Sequence, residues 1–518
     1  MSEKEYIVSL ERGVDPASFA AEMTQSSGNT TIPKRSVDVA NKREASHRNT
    51  HYALTEEEAE KLKNDPRVKG VEIPPDQRDD ISIGLRGRQT ADFTKTTNDV
   101  GSYVNWGLRR CISPANPYGT QSIVSGDYTY SLDGTGVDVV IQDSGIQLDH
   151  PEWEDANGVT RLQPIDWYGE SGVSGDAQSP YHYRDYDGHG THVAGIAAGK
   201  TYGWAKNSRI YAMKVSGLEG SGDVGGIPVV YAFDAIKLWH RQKTPDPITG
   251  LRRPTVVNMS WGYGSYFYNV DRGVYRGSAW TSSNNVGQYR DASRGMVGRF
   301  VDPTFGYRFG TRVTSVDVDM QELIDEGVHV VVAAGNYSQK IDVPGGLDYD
   351  NYFINTSNIG YFYNRGSSPY DDEAFIVGNS DSVVYSSTLE QKAESSETGP
   401  GVDLYAPGTD IMSACSDTNQ FNAPPYYLDG NYKQTNISGT SMAAPQVSGH
   451  LACLLQLKPN ISTSNLKTKV LNQTARNKIY STGLNNDYSN LRSISNGNNR
   501  FLVTPYSNEY SFSIERNS

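Results

Sequence analysis

The chain is short of cysteine, of positive charge and of long apolar runs. Three cysteines, Cys111, Cys415 and Cys453, occur in 518 residues. A set so sparse and odd in number excludes a disulfide framework. No apolar run is long enough to cross a bilayer as a helix, and the mean hydropathy is −0.58. A soluble globular protein without a membrane partner is therefore expected. The 47 basic side chains are outnumbered by 60 acidic ones, for a net charge of −13. A single-sign acidic field of that size argues against nucleic acid as a main partner. The opening Met1-Ser2-Glu3-Lys4-Glu5-Tyr6 lacks the basic and apolar regions of a secretory leader, so export by that route is not expected. Tyrosine is plentiful, at 34 residues beside 51 glycines, which points to long polar surface loops. The length suffices for a large core and for more than one domain.

The residues that carry chemistry lie far apart. Small residues crowd the run from Ser438 to Ser441, and an apolar stretch follows to about Leu457, with Val447, Leu451, Leu454 and Leu455 at helical spacing. Ser441 then sits at a helix N-terminus, where unpaired N–H groups and the positive dipole end favour developing negative charge. By itself the run reads more readily as a tight turn before a core helix, with Cys453 a buried structural thiol on it. A nucleophile needs a base and an orienting acid. The β-branched run Val137-Asp138-Val139-Val140-Ile141 reads as a central strand of a parallel sheet, and it delivers Asp143 at its carboxyl end. His189 opens a glycine-rich helix start in Asp187-Gly188-His189-Gly190-Thr191-His192. The two histidines are spaced wrongly for the usual helical zinc pair, and no neighbouring carboxylate or cysteine completes such a site. A further buried strand, His329 to Ala333, leads through Ala334 and Gly335 to Asn336.

Asp143 in Asp-Ser-Gly, His189 in Gly-His-Gly-Thr-His and Ser441 in Gly-Thr-Ser-Met-Ala-Ala-Pro resemble the three active-site blocks of subtilisin-like serine proteases, in that family's chain order. The resemblance runs from about Trp106 to Ala475. It is nearest the proteinase K branch, through Trp106-Gly107-Leu108 and through Thr201 to Lys206, where no room remains for a long calcium loop. It implies a three-layer α/β/α fold with a central parallel sheet, and catalysis by Asp143, His189 and Ser441 with Asn336 as oxyanion donor. Gly220, Ser221 and Gly222 would form one substrate edge, suited to pairing with an extended peptide. Ser260, Trp261 and Gly262 would form the other, with Ala334 and Gly335 beside it. Trp261 stands where relatives carry leucine, which bears on the width of the pocket. The chemistry requires no cofactor. Asp403, with carbonyls near Asp372 and Ala374, is the candidate for a structural calcium. A loosely apolar or aromatic preference before the cut is also implied.

Ahead of this body, Tyr6 to Leu10 reads as a strand, Asp15 to Met23 as a short helix and Thr55-Glu56-Glu57-Glu58 as a capping box opening a second helix. Val68 to Ile73 reads as another strand, after a polar loop between the two helices. This small α/β unit resembles the propeptide of subtilisin-like proteases. The division expected is therefore a propeptide-like domain at 1–78, a linker or processing region at 79–105, a catalytic domain at 106–475 and an extension at 476–518. Insertions near 263–318 and 337–371 enlarge the catalytic part. The expected partners are protein or peptide substrates and the chain's own N-terminal unit. A structural or binding subunit retaining the same body is the alternative, with the insertions contacting a virion or other protein. With no leader seen, the expected location is the cytoplasm of the producing cell or a virus particle.

Overall fold

The computed structural model describes residues 3–504 other than 26–29, 42, 44, 79, 81, 86–104, 117–129, 131, 176, 180, 218–225, 283–286, 299–300, 303 and 485–489. At its centre is a nine-stranded sheet. Across it run Ala475–Arg476, Arg500–Phe501, Leu404–Pro407, Phe375–Ser380, His329–Ala333, Thr255–Met259, Asp138–Asp143, Arg209–Lys214 and Leu162–Gln163. All neighbours are parallel except the outermost pair, Ala475–Arg476 and Arg500–Phe501. Val139, Val140 and Ile141 are wholly buried, as expected of strands covered on both faces, where β-branched side chains fill the interior.

Helices His189–Ala198 and Thr440–Leu457 pack on one another and on the sheet. Helices Val229–Gln242 and Thr314–Asp325 form a second pair, completing the α/β/α layering. Pro445 lies inside Thr440–Leu457. Having no N–H, it cannot bond the carbonyl four residues back, that of Ser441. That carbonyl accepts the Ser260 hydroxyl instead, at 3.0 Å.

Residues 3–78 build a separate antiparallel sheet in the order Val39–Asn41, Asn49–Leu54, Lys4–Leu10, Val68–Glu72. Helices Pro16–Gln25 and Glu56–Leu62 complete the unit. Its own core includes Phe19, Met23, Tyr52 and Leu62. The capping box is formed as expected: the Thr55 hydroxyl accepts from Glu58 N–H, and the Glu58 carboxylate accepts from Thr55 N–H. The polar loop expected between the helices contains two strands, one of which, Asn49–Leu54, pairs along the length of Lys4–Leu10. Its mixed polar sequence hides the alternation that marks a half-buried strand.

This unit is fastened to the second helix pair by charge. The Arg43 guanidinium bonds Asp234 at 2.9 Å and Asp319 at 2.8 Å, with all three side chains sealed from water. Glu322 accepts from the N–H groups of His47 and Arg48 and from Lys237. Helix Thr314–Asp325 has no side-chain cap from its own Val313. Glu72 of the N-terminal sheet supplies one, accepting from the N–H groups of Ser315 and Thr314, where the positive end of the helix favours a carboxylate.

The insertions are not independent loops. Val270–Tyr275 pairs with Ser278–Thr281 and with Tyr352–Asn355, and the last pairs with Gly360–Phe362. Phe267, Phe309, Phe353 and Tyr363 form one buried cluster beneath them. At the far end, Arg500–Phe501 joins the central sheet and Thr504 N–H donates to Cys111, so residues up to 504 belong to the main body. The rest of the expected extension, residues 505–518, lies outside the described residues. Arg43→Met leaves two buried carboxylates without their cation, a loss of roughly 3–5 kcal/mol for a buried ionic cluster. Earlier urea unfolding of the N-terminal unit and faster proteolysis within residues 3–78 are the expected readings.

Candidate active site

Asp143 ends its strand fully buried. Its Oδ1 accepts the Ser144 N–H at 2.7 Å and faces His189 Nδ1 at 2.7 Å. An ionised carboxylate only accepts, so the imidazole proton sits on Nδ1 and the Nε2 lone pair is left for another partner. Nε2 is buried and has no hydrogen-bond partner among the described residues. Burial lowers the His189 pKa, but the Asp143 charge and hydrogen bond, with Asp187 and Asp185 beyond, outweigh it and leave the pKa above 6.5.

The position of His189 depends on a residue that reading the sequence did not single out. Asp185 is wholly buried, and its Oδ1 accepts from Asp187 N–H, Gly188 N–H and the Ser144 hydroxyl. Its Oδ2 accepts from Thr191 N–H and Oγ1. It thus holds the start of the histidine helix to the aspartate strand, and burial pushes its pKa up to about 6. An acid four residues before the first helical position was the available signal. Gly190 is required because a Cβ there would lie 2.1 Å from the Gly145 carbonyl. His192, the other histidine of the motif, faces the carbonyls of Ile411 and Thr435 through Nε2 at 2.9 and 3.0 Å. Its pKa is pushed down by burial to about 3, so it is a neutral donor that ties strands together.

Ser441 is the second residue of its helix. Its hydroxyl donates to the Ser260 carbonyl at 3.1 Å, while Ser260 Oγ, steadied by Asn258 Nδ2, donates back to the Ser441 carbonyl. Asn336 follows Gly335, whose φ of +124° favours glycine. The Asn336 Oδ1 accepts from Thr440 N–H and hydroxyl at 3.0 and 3.2 Å. Both oxygen lone pairs are thereby engaged and Nδ2 is turned away as a donor, without a bond among the described residues. The structure thus joins Asp143 to His189, Asn336 to Thr440, and Ser441 to Ser260.

Of the expected substrate edges, Gly220, Ser221 and Gly222 lie outside the described residues. The residues expected to form the other edge, Ser260 to Gly262, are among those described. Trp261–Phe267 pairs antiparallel with Ser82–Leu85, Gly262 facing Gly84 and Trp261 facing Leu85. The Trp261 indole is buried in the core and donates to Gln142, so this residue meets the neighbouring strand through its main chain. Ala334 N–H is bonded to the Val377 carbonyl.

The calcium expectation at Asp403 is corrected. Lys467 Nζ lies 2.8 Å from Asp403 Oδ2 and 2.6 Å from the carbonyls of both Asp372 and Ala374. These are the donors that a cation would use, and the chain supplies its own ammonium to them. The donor set does not fit a divalent ion.

Residues 134–493 match the family described as the subtilase family. An extracellular serine proteinase of Thermus sp. is 26% identical over 440 residues, covering 85% of this chain and 74% of its own. Alkaline serine exoprotease A of Vibrio alginolyticus is 26% identical over 431 residues, and this chain spans 55% of its length. Among solved structures, a cold-adapted subtilisin-like serine proteinase matches with a TM-score of 0.45 and 22% identity, covering 77% of this chain and 98% of that one. The expected cytoplasmic or particle location is overturned by these relatives, one of which is named as extracellular.

Lys467→Ala leaves the Asp403 carboxylate and two carbonyls facing one another, and should cost about 1–3 kcal/mol in urea unfolding. In the parent protein a chelator should leave the contribution of this site unchanged. Stabilisation of the parent by calcium that disappears in Asp403→Asn would contradict this assignment.

Proposed function

The chain belongs to the subtilase family and is a subtilisin-like serine endopeptidase, and we propose that it works through Asp143, His189, Ser441 and Asn336 and is made as a zymogen. The observation that carries the reading is the sealed 2.7 Å Asp143–His189 bond, which leaves Nε2 as a lone-pair acceptor. A serine hydroxyl is a weak nucleophile and needs such a base. Rotation of Ser441 about its Cα–Cβ bond, away from the Ser260 carbonyl, gives Nε2 the hydroxyl proton as Oγ attacks the peptide carbonyl. Asp143 holds the tautomer and stabilises the imidazolium. The oxyanion receives Asn336 Nδ2 and the Ser441 N–H. His189 then returns the proton to the leaving amine, the C–N bond breaks, and water hydrolyses the acyl-enzyme by the same steps in reverse roles.

The zymogen reading rests on the N-terminal unit being docked through Arg43 and Glu72 and on its following strand, Ser82–Leu85, lying along the Trp261–Phe267 edge. An extracellular place of action, which the Thermus relative's name states for that protein, suits a protease held inactive until processed. The comparisons lend no support to a merely structural subunit.

Ser441→Ala and His189→Ala should be nearly inactive, and the Ser441→Ala chain should remain full length at 56.9 kDa. The active parent should lose its N-terminal part, as read by intact-mass spectrometry. Asn336→Ala should lose about 10²–10³ in kcat, as the loss of the side-chain oxyanion donor does in subtilisin. Because the base acts neutral and its pKa is raised, kcat/KM should climb with pH through a midpoint above 6.5. A midpoint well below 6.5, or peptide cleavage by Ser441→Ala at the parent's rate, would contradict the assignment.

A further inference from the structure

The strand that leads away from Ser260 is longer than the stretch its outer neighbour pairs with. Trp261–Phe267 lies third in a four-stranded sheet, between Gly306–Gly310 and the edge strand Ser82–Leu85. Trp261 faces Leu85 and Gly264 faces Ser82. The N-terminal segment is still held beyond the end of that pairing. The Asp80 carbonyl accepts the Ser265 hydroxyl at 3.0 Å, and the Asp80 carboxylate accepts the Tyr361 hydroxyl at 3.4 Å. Ser265 is buried and belongs to the first insertion. Tyr361 comes from the second, in strand Gly360–Phe362. Its ring stacks on Phe353 at 5.2 Å and meets Phe309 edge-on at 5.9 Å. The aromatic cluster shared by both insertions therefore fixes where its hydroxyl points. Burial and the Asp80 charge push the Tyr361 pKa up to about 12, so that hydroxyl keeps its proton and acts as a donor.

We propose that Ser265 and Tyr361 form an outer substrate subsite, built by the two insertions, for an extended peptide reaching five residues upstream of the one that faces Trp261. The inference rests on the endopeptidase and zymogen readings and names the substrate class: long, locally unfolded polypeptide rather than short peptides. Once Ser82–Leu85 leaves with the N-terminal unit, Trp261–Phe267 becomes the edge of its sheet. An edge strand offers its main chain to another extended segment. From the Asp80 position to the Leu85 position such a segment spans about 17 Å, at roughly 3.3 Å per residue. The Ser265 hydroxyl meets a main-chain carbonyl, which every residue carries, so it reads length and not sequence. The Tyr361 hydroxyl meets a side-chain oxygen, so it favours an acceptor at that position. Aspartate suits it above asparagine, because an ionised acceptor makes the stronger hydrogen bond. In the full chain Arg78 also bonds Asp80, at 3.0 and 2.6 Å. Arg78 departs with the same segment, whereas Ser265 and Tyr361 stay with the body and meet whatever replaces it.

The test uses the active protein recovered from the full chain, with peptides that share one cleaved sequence. In a first set the segment ahead of the cut grows from three to nine residues. For the parent, kcat/KM should still be rising beyond five, with at least about 10-fold gained across the set. Ser265→Ala should forfeit about 3- to 10-fold of that gain, the worth of one hydrogen bond, and leave the shortest peptide unchanged. In a second set aspartate, asparagine or leucine is walked through the outer positions of the longest peptide. One position should favour aspartate, and Tyr361→Phe should remove that preference without touching the shortest peptide. A merely structural loss would slow short and long peptides alike, and that outcome overturns the inference. If either variant fails to fold, the parent's own two sets decide. A parent whose rate levels off at the shortest peptides, with no outer preference, overturns the inference and leaves the endopeptidase reading standing. Persistent full-length protein that cleaves short peptides and gains nothing from length removes the zymogen reading as well. Hydrolysis of none of the peptides sinks the endopeptidase reading and this inference with it.

Discussion

A carboxylate and an imidazole, both sealed from water and 2.7 Å apart, are the contact on which the rest of this protein depends. Neither group is at ease there. Burial disfavours each charged form, and Asp143 Oδ2 has no hydrogen bond among the described residues. What holds the pair in place is the sheet and helix geometry around it. The aspartate is fixed at the end of a central strand, and the histidine by a helix start that Asp185 and Gly190 press against Ser144 and Gly145. The same solution recurs at the serine. Pro445 frees the Ser441 carbonyl for Ser260, and the Thr440 N–H and hydroxyl orient Asn336. Each reacting group is thus positioned by a backbone feature rather than by its own side-chain freedom.

Charge is handled differently at the two ends of the molecule. The N-terminal unit is held by an internal cation, Arg43, between Asp234 and Asp319, and by Glu72 at an uncapped helix start. Near the other end, Lys467 serves Asp403 and two carbonyls that would otherwise invite a metal ion. In both places the chain supplies its own counter-charge. Under the zymogen proposal, the N-terminal contact involves groups, Arg43 and Glu72, that the released segment would carry away. The Lys467 contact lies within the part of the chain that matches the family.

Much of this was legible in the sequence because local rules sufficed. The strand at Val139 to Ile141, the helix after Ser441 and the capping box at Thr55 each announce themselves through periodicity or spacing, and the three motif blocks carry the site. Contacts made across the chain were not legible. Nothing near Asp403 in sequence reveals that Lys467, 64 residues on, reaches its carboxylate. The strand Asn49–Leu54 gains its order from pairing with Lys4–Leu10, not from its own weak pattern. The tyrosine-rich insertions looked like separate loops because their shared sheet and the Phe267 cluster exist only when both are folded together. Trp261 looked like a pocket residue, yet its indole finds Gln142 in the core.

The central claim is that Asp143 and His189 activate Ser441. A fluorophosphonate reports this directly, since it phosphonylates only a serine whose proton a base can take. With the processed protein, peptide mapping should find the label on Ser441, and His189→Ala should abolish it while the fold persists by circular dichroism. A folded, processed protein that takes no label at Ser441, or one that takes it equally well without His189, would contradict the account.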